Sequence, residues 1–185
     1  MKTIEEQMSF YAAYHQDARN KATHFIGVPA IILSLFIPLA WIRFEAGGVA
    51  ITAAMLFAAV VVLYYFFLDL PLALAMLIVT GVLVWAGHQI AQLGTLQAWV
   101  WFAVLFVSGW ILQLVGHVFE GRKPALADNL FQIFVAPLFL AAEVFFALGY
   151  KPRLHADVQR RALEMRNRAL TPISPVSVKA SAERG

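Results

Sequence analysis

The sequence predicts an all-α integral membrane protein with four transmembrane helices, a kinked or re-entrant fifth apolar segment and an N-terminal amphipathic helix. Hydrophobic residues make up 61% of the 185-residue chain and charged residues 14%, against about 45–50% and about 25% in typical soluble domains. The polar residues gather at residues 1–24, 120–129 and 150–185, with apolar blocks between them. A soluble chain of this length could not bury so much apolar surface.

The composition also excludes several kinds of site. The chain has no cysteine, which excludes disulfides, thiolate metal sites and iron–sulfur clusters, so a metal would need histidine, carboxylate or backbone oxygen ligands. The N-terminal stretch carries two adjacent glutamates and lacks an apolar core, so it is not expected to be a signal peptide. The net charge of +3 comes mainly from the tail, which favours contact with a membrane surface over nucleic acid.

The N-terminal region reads as a short helix followed by a break. Within residues 3–19, Ile4, Met8, Tyr11 and His15 recur at helical spacing, which predicts an amphipathic helix. The polar stretch HQDARNKATH then interrupts the pattern. Asn20 or Thr23 is expected to cap the helix that follows.

Four apolar stretches have the length of membrane spans, which is about 20 residues. Prolines in the first of them are compatible with a membrane helix, and Pro71 is placed to open the third. The predicted spans are residues 25–42, 49–68, 70–87 and 98–119.

The fifth apolar segment, residues 130–149, is interrupted by Gln132, Pro137 and Glu143. Basic residues precede the first span, follow the fourth and dominate the tail. The tendency of basic residues to remain on the cytoplasmic side favours an even number of crossings. Residues 130–149 are therefore expected to enter the membrane and return, as a kinked or re-entrant hairpin near Pro137.

The C-terminal region is expected to lie outside the membrane. Residues 152–170 are a candidate basic helix along the surface, and residues 171–185 have the Pro-, Ser- and Ala-rich composition of a disordered tail. We therefore divide the chain into a membrane-embedded catalytic domain, residues 1–155, and a basic surface helix with a disordered tail, residues 156–185.

Three of the five histidines are expected at one face of the membrane. With four crossings, His15, His24 and His117 end on the same side, whereas His88 falls on the opposite side and is a weaker candidate ligand. His15 and His24 are 2.5 turns apart on an unbroken helix and would face opposite ways. They can converge only if the chain bends between them, at the polar break. Each histidine alone would also be compatible with an ordinary hydrogen-bonded residue at the membrane interface.

The end of the fourth span carries a polar face. Gln113, His117 and Glu120 lie at i, i+4 and i+7, and Glu120 could accept a hydrogen bond from the free ring nitrogen of a metal-bound His117. Asn20 and His24 form a second i, i+4 pair.

Three further charged residues have two readings each. Arg122 and Lys123 are positive-inside anchors or ligands for an anionic headgroup or carboxylate. Inserting a charged residue such as Glu143 at the centre of a membrane helix costs roughly 2.5–3.5 kcal/mol. Glu143 is therefore expected to make a buried hydrogen bond or to serve a transport path.

Three stretches of the sequence together resemble one family of small membrane proteins. The family, long a domain of unknown function, includes the fungal 2-hydroxy-fatty-acid dioxygenase of phytosphingosine breakdown. The resemblance covers most of residues 8–154, and the second stretch is its most specific part. The stretches are FYAAYHQDARNKATHFIGVP, GWILQLVGHVFEGRKPALADNL and APLFLAAEVFFALGYKPRL.

The resemblance implies an iron(II)-dependent α-oxidation that consumes O2 and shortens a 2-hydroxy fatty acid, or a related lipid acid, by one carbon. Such an acid could chelate iron through its hydroxyl and one carboxylate oxygen, with its acyl chain between the spans. Zinc could replace iron in a purified sample. The implied location is a bacterial inner membrane or the endoplasmic reticulum, with the active site on the cytoplasmic face, membrane lipids as neighbours and no nucleic-acid partner.

The resemblance also implies site residues. Those matching the family's motifs as metal ligands are His15, His24 and His117, with His88 as a fourth candidate. Four others are expected to act in catalysis around the metal: Asn20, Glu120, Arg122 and Lys123. Asp128 and Asn129 are expected to support the ligands from further out.

Other classes of protein remain open at this stage. A haem-binding electron carrier would use two histidines on facing helices, such as His24 and His117, and a transporter or proton channel would use Glu143 and Gln132. A structural membrane protein would leave the charged loop after His117 unexplained. A di-iron desaturase resembles a set of about eight histidines in boxes, which five scattered histidines cannot supply.

Overall fold

The computed structural model describes residues 3–124 and 129–170. Within these ranges the chain forms seven helices and one two-stranded antiparallel hairpin. The helices are α1 (Ile4–Ala12), α2 (Ala18–Leu39), α3 (Ala53–Phe66), α4 (Leu70–Ala91), α5 (Thr95–Glu120), α6 (Gln132–Ala147) and α7 (Pro152–Leu170). The strands are β1 (Arg43–Ala46) and β2 (Val49–Thr52).

Three helices are long and apolar enough to cross a membrane, judged by length and composition. They are α2 and α4, with 22 residues each, and α5, with 26. At about 1.5 Å per residue they reach at least the roughly 30 Å of a hydrocarbon core. The first, third and fourth predicted spans are thus confirmed as long apolar helices, and the mostly helical architecture is compatible with a membrane protein.

The second predicted span, residues 49–68, differs from the prediction. Val49–Thr52 pairs with Arg43–Ala46 as a hairpin, and the helix that follows, α3, has 14 residues, about 21 Å. The β-branched residues of β2 favour a strand, and Gly47 and Gly48, with φ of 61° and 81°, form the tight turn. The count of four long spans is therefore not confirmed, and a purely α-helical class omits this hairpin.

The four apolar helices α2 to α5 alternate in direction along the chain. At the contact of α2 with α5, a Cβ added to Gly27 would lie 2.9 Å from the Gly109 carbonyl oxygen, so the two backbones touch. On another side of α2, a Cβ on Gly87 of α4 would lie 2.8 Å from Phe36 Cβ. The start of α2 and the end of α5 consequently lie together, at what we call the histidine end. The opposite end, which carries β1 and β2, is the hairpin end.

Helices α1, α6 and α7 cover the histidine end, and we call them the covering layer. The Tyr11 ring of α1 contacts the Phe139 ring of α6, with the two ring centroids 4.7 Å apart. Both ends of α6 stay at this end of the bundle: Gln132 lines a cavity with His117, and Lys151, just after α6, pairs with Asp69.

The fifth apolar segment is not a hairpin. Gln132–Ala147 forms one helix of 16 residues that continues across Pro137, so the predicted turn near Pro137 is wrong. Proline removes one hydrogen bond of the helix, and neighbouring helices can compensate for that loss in an apolar setting. The segment is therefore one helix, which packs against α1, α2 and α4.

The N-terminal and C-terminal helices pack on each other. The predicted break after α1 is confirmed, but Asp17 rather than Asn20 or Thr23 caps α2, because its Oδ1 accepts the Arg19 N–H at 2.8 Å. In α7, Val158 and Ala162 are fully buried in the same cluster as Met8 of α1.

The predicted division of the chain falls inside α7. The boundary between residues 155 and 156 cuts this helix, which packs on α1 through buried residues. The predicted disordered tail, residues 171–185, lies outside the described residues.

Candidate metal centre

Three histidine rings meet at the histidine end. His15, His24 and His117 are 2%, 2% and 7% exposed. Their ring centroids are separated by 4.7 Å, 5.0 Å and 5.1 Å. One nitrogen of each ring lies within 4.8 Å of the other two, a grouping that could hold a metal ion. The predicted convergence of these three residues is confirmed.

The bend between α1 and α2 produces this convergence. Helix α1 ends at Ala12 and α2 begins at Ala18, so His15 lies outside both helices and is free to turn back towards His24. The Tyr11 ring stacks on His15 at a centroid distance of 3.9 Å and an angle of 3°. This stacking fixes the plane of the His15 ring.

The hydrogen bonds of His15 and His24 set the protonation of their rings. Nδ1 of His15 lies 2.8 Å from the Tyr11 carbonyl oxygen, and Nδ1 of His24 lies 2.8 Å from that of Asn20. Because a carbonyl oxygen can only accept, each Nδ1 must carry the hydrogen. Burial, and secondarily His24, hold the pKa of His15 well below its usual range, so this ring is neutral.

The two Nε2 atoms therefore face each other with lone pairs. They are 3.2 Å apart, and two lone pairs at this distance repel unless a cation or proton lies between them. Neutral imidazoles are common ligands of transition metals, and an Nδ1–H bonded to a backbone carbonyl is the usual outer contact of a metal-bound histidine. The donor set thus fits a first-row transition metal.

The third histidine differs from the prediction in its outer contact. Nδ1 of His117 is buried and has no hydrogen-bond partner among the described residues, so the predicted bond to Glu120 is not formed. Glu120 is the last residue of α5 and is followed by Gly121 in the left-handed conformation, with φ of 66°. Its carboxylate contacts the loop between α1 and α2 instead of His117.

Glu120 joins four parts of the chain. Its Oε2 accepts the backbone N–H groups of Gln16 at 2.9 Å and Asp17 at 2.8 Å, and the side-chain amide of Asn20 at 3.1 Å. Its Oε1 pairs with Arg166 of α7. The Glu120 side chain is fully buried, so these bonds replace its hydration and fix the His15 loop to α5.

Asn20 connects this network to His24. Its side chain donates to Glu120, and its backbone oxygen accepts from His24 Nδ1. Gly116 makes the approach of α5 possible, since a Cβ there would lie 2.6 Å from Asn20 Oδ1 and 3.1 Å from His24 Nδ1, and would also collide with Thr23 Oγ1. The distance between the helices that carry His24 and His117 thus depends on a missing side chain.

A cavity of about 70 Å³ borders the three rings. Gln113 and Gln132 line it, and the Gln113 Nε2 atom and both polar atoms of the Gln132 amide are buried without a hydrogen-bond partner in the described part of the chain. Buried polar groups are normally hydrogen-bonded, so these amides are available to a ligand.

His88, the fourth predicted ligand, lies far from the three rings. His88 is in α4 beside Gly87, which contacts Phe36, and Phe36 is about 18 Å along α2 from His24. The structure does not bring His88 to the cluster.

The loop after α5 follows the edge of the cavity. Pro124 lines the cavity, whereas Arg122 and Lys123 are not among its lining residues, and Arg122 donates to the Arg166 carbonyl oxygen at 3.3 Å. Asn129 Oδ1 accepts the Phe131 N–H at 3.1 Å, at the start of α6. Asp128 lies outside the described residues.

The structure gives Glu143 a partner. Its Oε2 forms an ion pair of 2.7 Å with Lys21 at the start of α2. This contact between helices accounts for a carboxylate in an apolar segment without a transport path.

Sequence reasoning missed three contributors to the centre. The sequence pattern places Tyr11 on an amphipathic face, Gly116 within a span and Arg166 among the basic residues of a surface helix. The spacing of four residues between Tyr11 and His15 and between Asn20 and His24 was a signal for the carbonyl contacts. No sequence signal pairs Arg166 with Glu120, because 46 residues separate them.

Fold and site together define a class: an apolar helical bundle, compatible with a membrane, with three buried histidines converging at one end. The chain belongs to the family described as Mpo1-like, 2-hydroxy-palmitic acid dioxygenase Mpo1-like, whose model matches residues 1–148. It is similar to the 2-hydroxy-palmitic acid dioxygenase MPO1 of Saccharomyces cerevisiae, with 34% identity over 177 residues, which cover 90% of this chain and 93% of the yeast protein. No solved structure matches the chain.

Proposed function

We propose that this protein is a non-haem iron dioxygenase that performs α-oxidation of 2-hydroxy fatty acids, with Fe(II) held by His15, His24 and His117. The observation that carries the proposal is the pair of Nε2 atoms 3.2 Å apart, beside the third ring, in a member of a family described as dioxygenases. The yeast relative is named for 2-hydroxy-palmitic acid, which supports a long-chain substrate here.

The proposed reaction is a four-electron oxidation of the 2-hydroxy acid by O2. The C1–C2 bond of the 2-hydroxy acid breaks, C2 becomes the new carboxyl carbon, and C1 leaves as carbon dioxide, while O2 is reduced and one water forms. Bound Fe(II) supplies the activation of O2. A site of three nitrogen donors suits this chemistry because it leaves positions for substrate and O2.

The chain's own residues would bind and orient the polar head of the substrate. Gln113 and Gln132 line the cavity, and within the described residues Gln113 Nε2 and both polar atoms of the Gln132 amide have no hydrogen-bond partner, so they can bond to the hydroxyl and carboxyl groups. Arg122 or Lys123, which precede the cavity-lining Pro124 in the chain, would receive the carboxylate.

Two residues would position the ligands rather than contact the substrate. Glu120 holds the loop that carries His15, and Asn20 holds His24 through its backbone oxygen. Loss of the Glu120 carboxylate, or of the Asn20 side-chain amide that donates to it, would loosen the segments that carry His15 and His24 and so weaken metal binding without removing a ligand.

We also propose that the histidine end faces the cytoplasm. Lys21, Arg122, Lys123 and the arginines of α7 all belong to this end, and basic residues are retained on the cytoplasmic side of membrane proteins. The exposed apolar side chains of α3, α4 and α5 would then contact membrane lipid.

Metal analysis of the detergent-purified protein, prepared without added metal or chelator, tests the first part. About one iron per chain, or a surrogate such as zinc, is expected. O2 uptake with 2-hydroxy fatty acids tests the second part, and His117→Ala should abolish it while the helical circular dichroism is retained. A protein that holds no metal even after anaerobic iron reconstitution would rule out the dioxygenase, whereas a Soret band would indicate haem.

A further inference from the structure

A second and larger cavity lies beside the histidine cavity. It has a volume of about 370 Å³ and is lined by residues of α2, α3, α4 and α6. We call it the lateral groove. Its walls are apolar except for the hydroxyls of Tyr65 and Thr80, and the Tyr65 hydroxyl donates to the Phe134 carbonyl oxygen at 2.6 Å.

The lateral groove is continuous with the histidine cavity. Val28, Ile31, Ile32 and Ile133 line both. The combined space therefore has three histidines and two glutamines, Gln113 and Gln132, at one end and hydrocarbon side chains over the rest. Such a space matches a molecule with a small polar head and one long apolar chain.

We propose that the lateral groove holds the acyl chain of the 2-hydroxy acid, and that Phe36, Phe57 and Ala58 at its far end set the longest chain the enzyme accepts. This inference rests on the proposed function and adds how the chain length is selected. The Phe36 and Phe57 rings meet edge to face at 6.5 Å, and Ala58 packs in the same cluster as Phe36. Among the residues that line the groove, they are the ones farthest along α2 and α3 from the three histidines, towards the hairpin end.

The depth of the groove gives the expected length. Phe36 lies twelve residues after His24 in α2, which is about 18 Å at 1.5 Å per residue. An extended chain gains about 1.3 Å per carbon, given a C–C bond of about 1.5 Å. The space from the histidines to the far end therefore corresponds to about 14 carbons.

The rim of the groove is open to the outer surface of the bundle. Phe25, Leu35 and Val144, which line it, are 40%, 38% and 45% exposed. A fatty acid dissolved in a bilayer can enter sideways through this rim, so its chain need not pass through water.

The test compares two adjacent alanines of α3. Ala58 is 9% exposed and lines the groove, whereas Ala59 is exposed and does not line it. Ala58→Phe fills the far end and should lower kcat/KM for long 2-hydroxy acids by about fourfold for each methylene it excludes, which moves the preferred chain to shorter lengths. Ala59→Phe adds the same ring outside the groove and should leave the length profile unchanged.

A reciprocal variant separates this effect from misfolding. Phe57 is 44% exposed, so Phe57→Ala removes a ring from the far end at little cost to the core. It should raise kcat/KM for chains longer than the wild-type optimum by about fourfold for each methylene newly accommodated. A folding defect cannot produce such a gain.

Binding of tritiated 2-hydroxy acids of several lengths to the detergent-purified proteins is measured beside turnover. Opposite shifts of the preferred chain length in Ala58→Phe and Phe57→Ala support the proposal. If these shifts appear in binding while no protein turns over substrate, the groove assignment stands and only the proposed reaction fails. Unchanged length profiles in both variants overturn the groove assignment while leaving the reaction intact. A phospholipid that is retained by the wild type and lost from Ala58→Phe, with the acid profile unchanged, also overturns it.

Discussion

The two ends of the bundle are built from the same apolar helices and differ in what lies across them. At the histidine end, α1, α6 and α7 bury polar groups and supply partners for some of them, such as Arg166 for Glu120 and the Tyr11 carbonyl oxygen for the ring of His15. At the hairpin end, Arg43, Phe44 and Glu45 are exposed, and within the described residues no group of metal-ligating side chains forms there. The covering layer therefore completes, at one end only, a site whose His24 and His117 come from the bundle helices.

The comparison shows how a buried charge is accommodated in an apolar chain. A carboxylate such as Glu120 would be costly alone, but three N–H donors and Arg166 surround it. Glu45 at the hairpin end is exposed, so water can solvate it. The buried carboxylate of Glu120 is thus tolerated at the histidine end because other parts of the chain satisfy it.

The largest difference between the ends is expected for their histidines. His117→Ala removes one of three converging nitrogens and should reduce metal content to background, a larger effect than the roughly 10–100-fold of losing an outer partner. His88→Ala should leave metal content unchanged, because the structure places His88 away from the cluster. Elemental analysis of both purified variants checks this, and equal depletion by His88→Ala would contradict it.

A second difference is expected for the two glutamates. Glu120→Ala leaves buried N–H groups without a partner and should destabilise the fold by about 3 kcal/mol, at the lower end of the range for breaking a buried pair because Arg166 is partly exposed. Glu45→Ala should change the free energy of unfolding by less than about 0.5 kcal/mol. Chemical denaturation in one detergent measures both, and similar values would refute the importance of the covering layer.

A third contrast uses two helical glycines. Gly116→Ala forces a methyl group against Asn20 and His24. It should lower the free energy of unfolding by about 1–3 kcal/mol and also weaken metal binding. Gly81→Ala meets nothing within 4 Å and should be neutral or stabilise by up to about 1 kcal/mol through helix propensity. Thermal unfolding and metal titration of both variants test this. Unchanged metal affinity in Gly116→Ala would show that the separation of α2 and α5 is not critical.

The smallest effect is expected at the hairpin end. Trp41 Nε1 donates to the Ala91 carbonyl oxygen at 3.1 Å, so Trp41→Phe should cost about 1 kcal/mol for the lost hydrogen bond. Metal content and O2 uptake should not change, since this contact is far from the three rings. A loss of metal in this variant would mean that the two ends are coupled through the bundle.

The sequence could predict the features that depend on local pattern. Apolar length located α2, α4 and α5, and the polar break between His15 and His24 allowed their convergence with His117 to be anticipated. The hairpin at residues 43–52 was missed because its β-branched strand is also apolar enough to read as a membrane span. The partners of Glu120 were missed because they come from three separate segments, and no local rule relates Gln16 or Arg166 to residue 120.

The ion pair between Arg166 and Glu120 has a consequence for biosynthesis. Translation proceeds from the N-terminus, so the three histidines have been synthesised well before residue 166 emerges from the ribosome. Until then the Glu120 carboxylate lacks its cation, and α1 lacks the helix that packs against it. The candidate metal centre therefore reaches its final arrangement only after α7 has been made, and a ribosome that stalls before α7 releases a bundle in which Glu120 lacks Arg166.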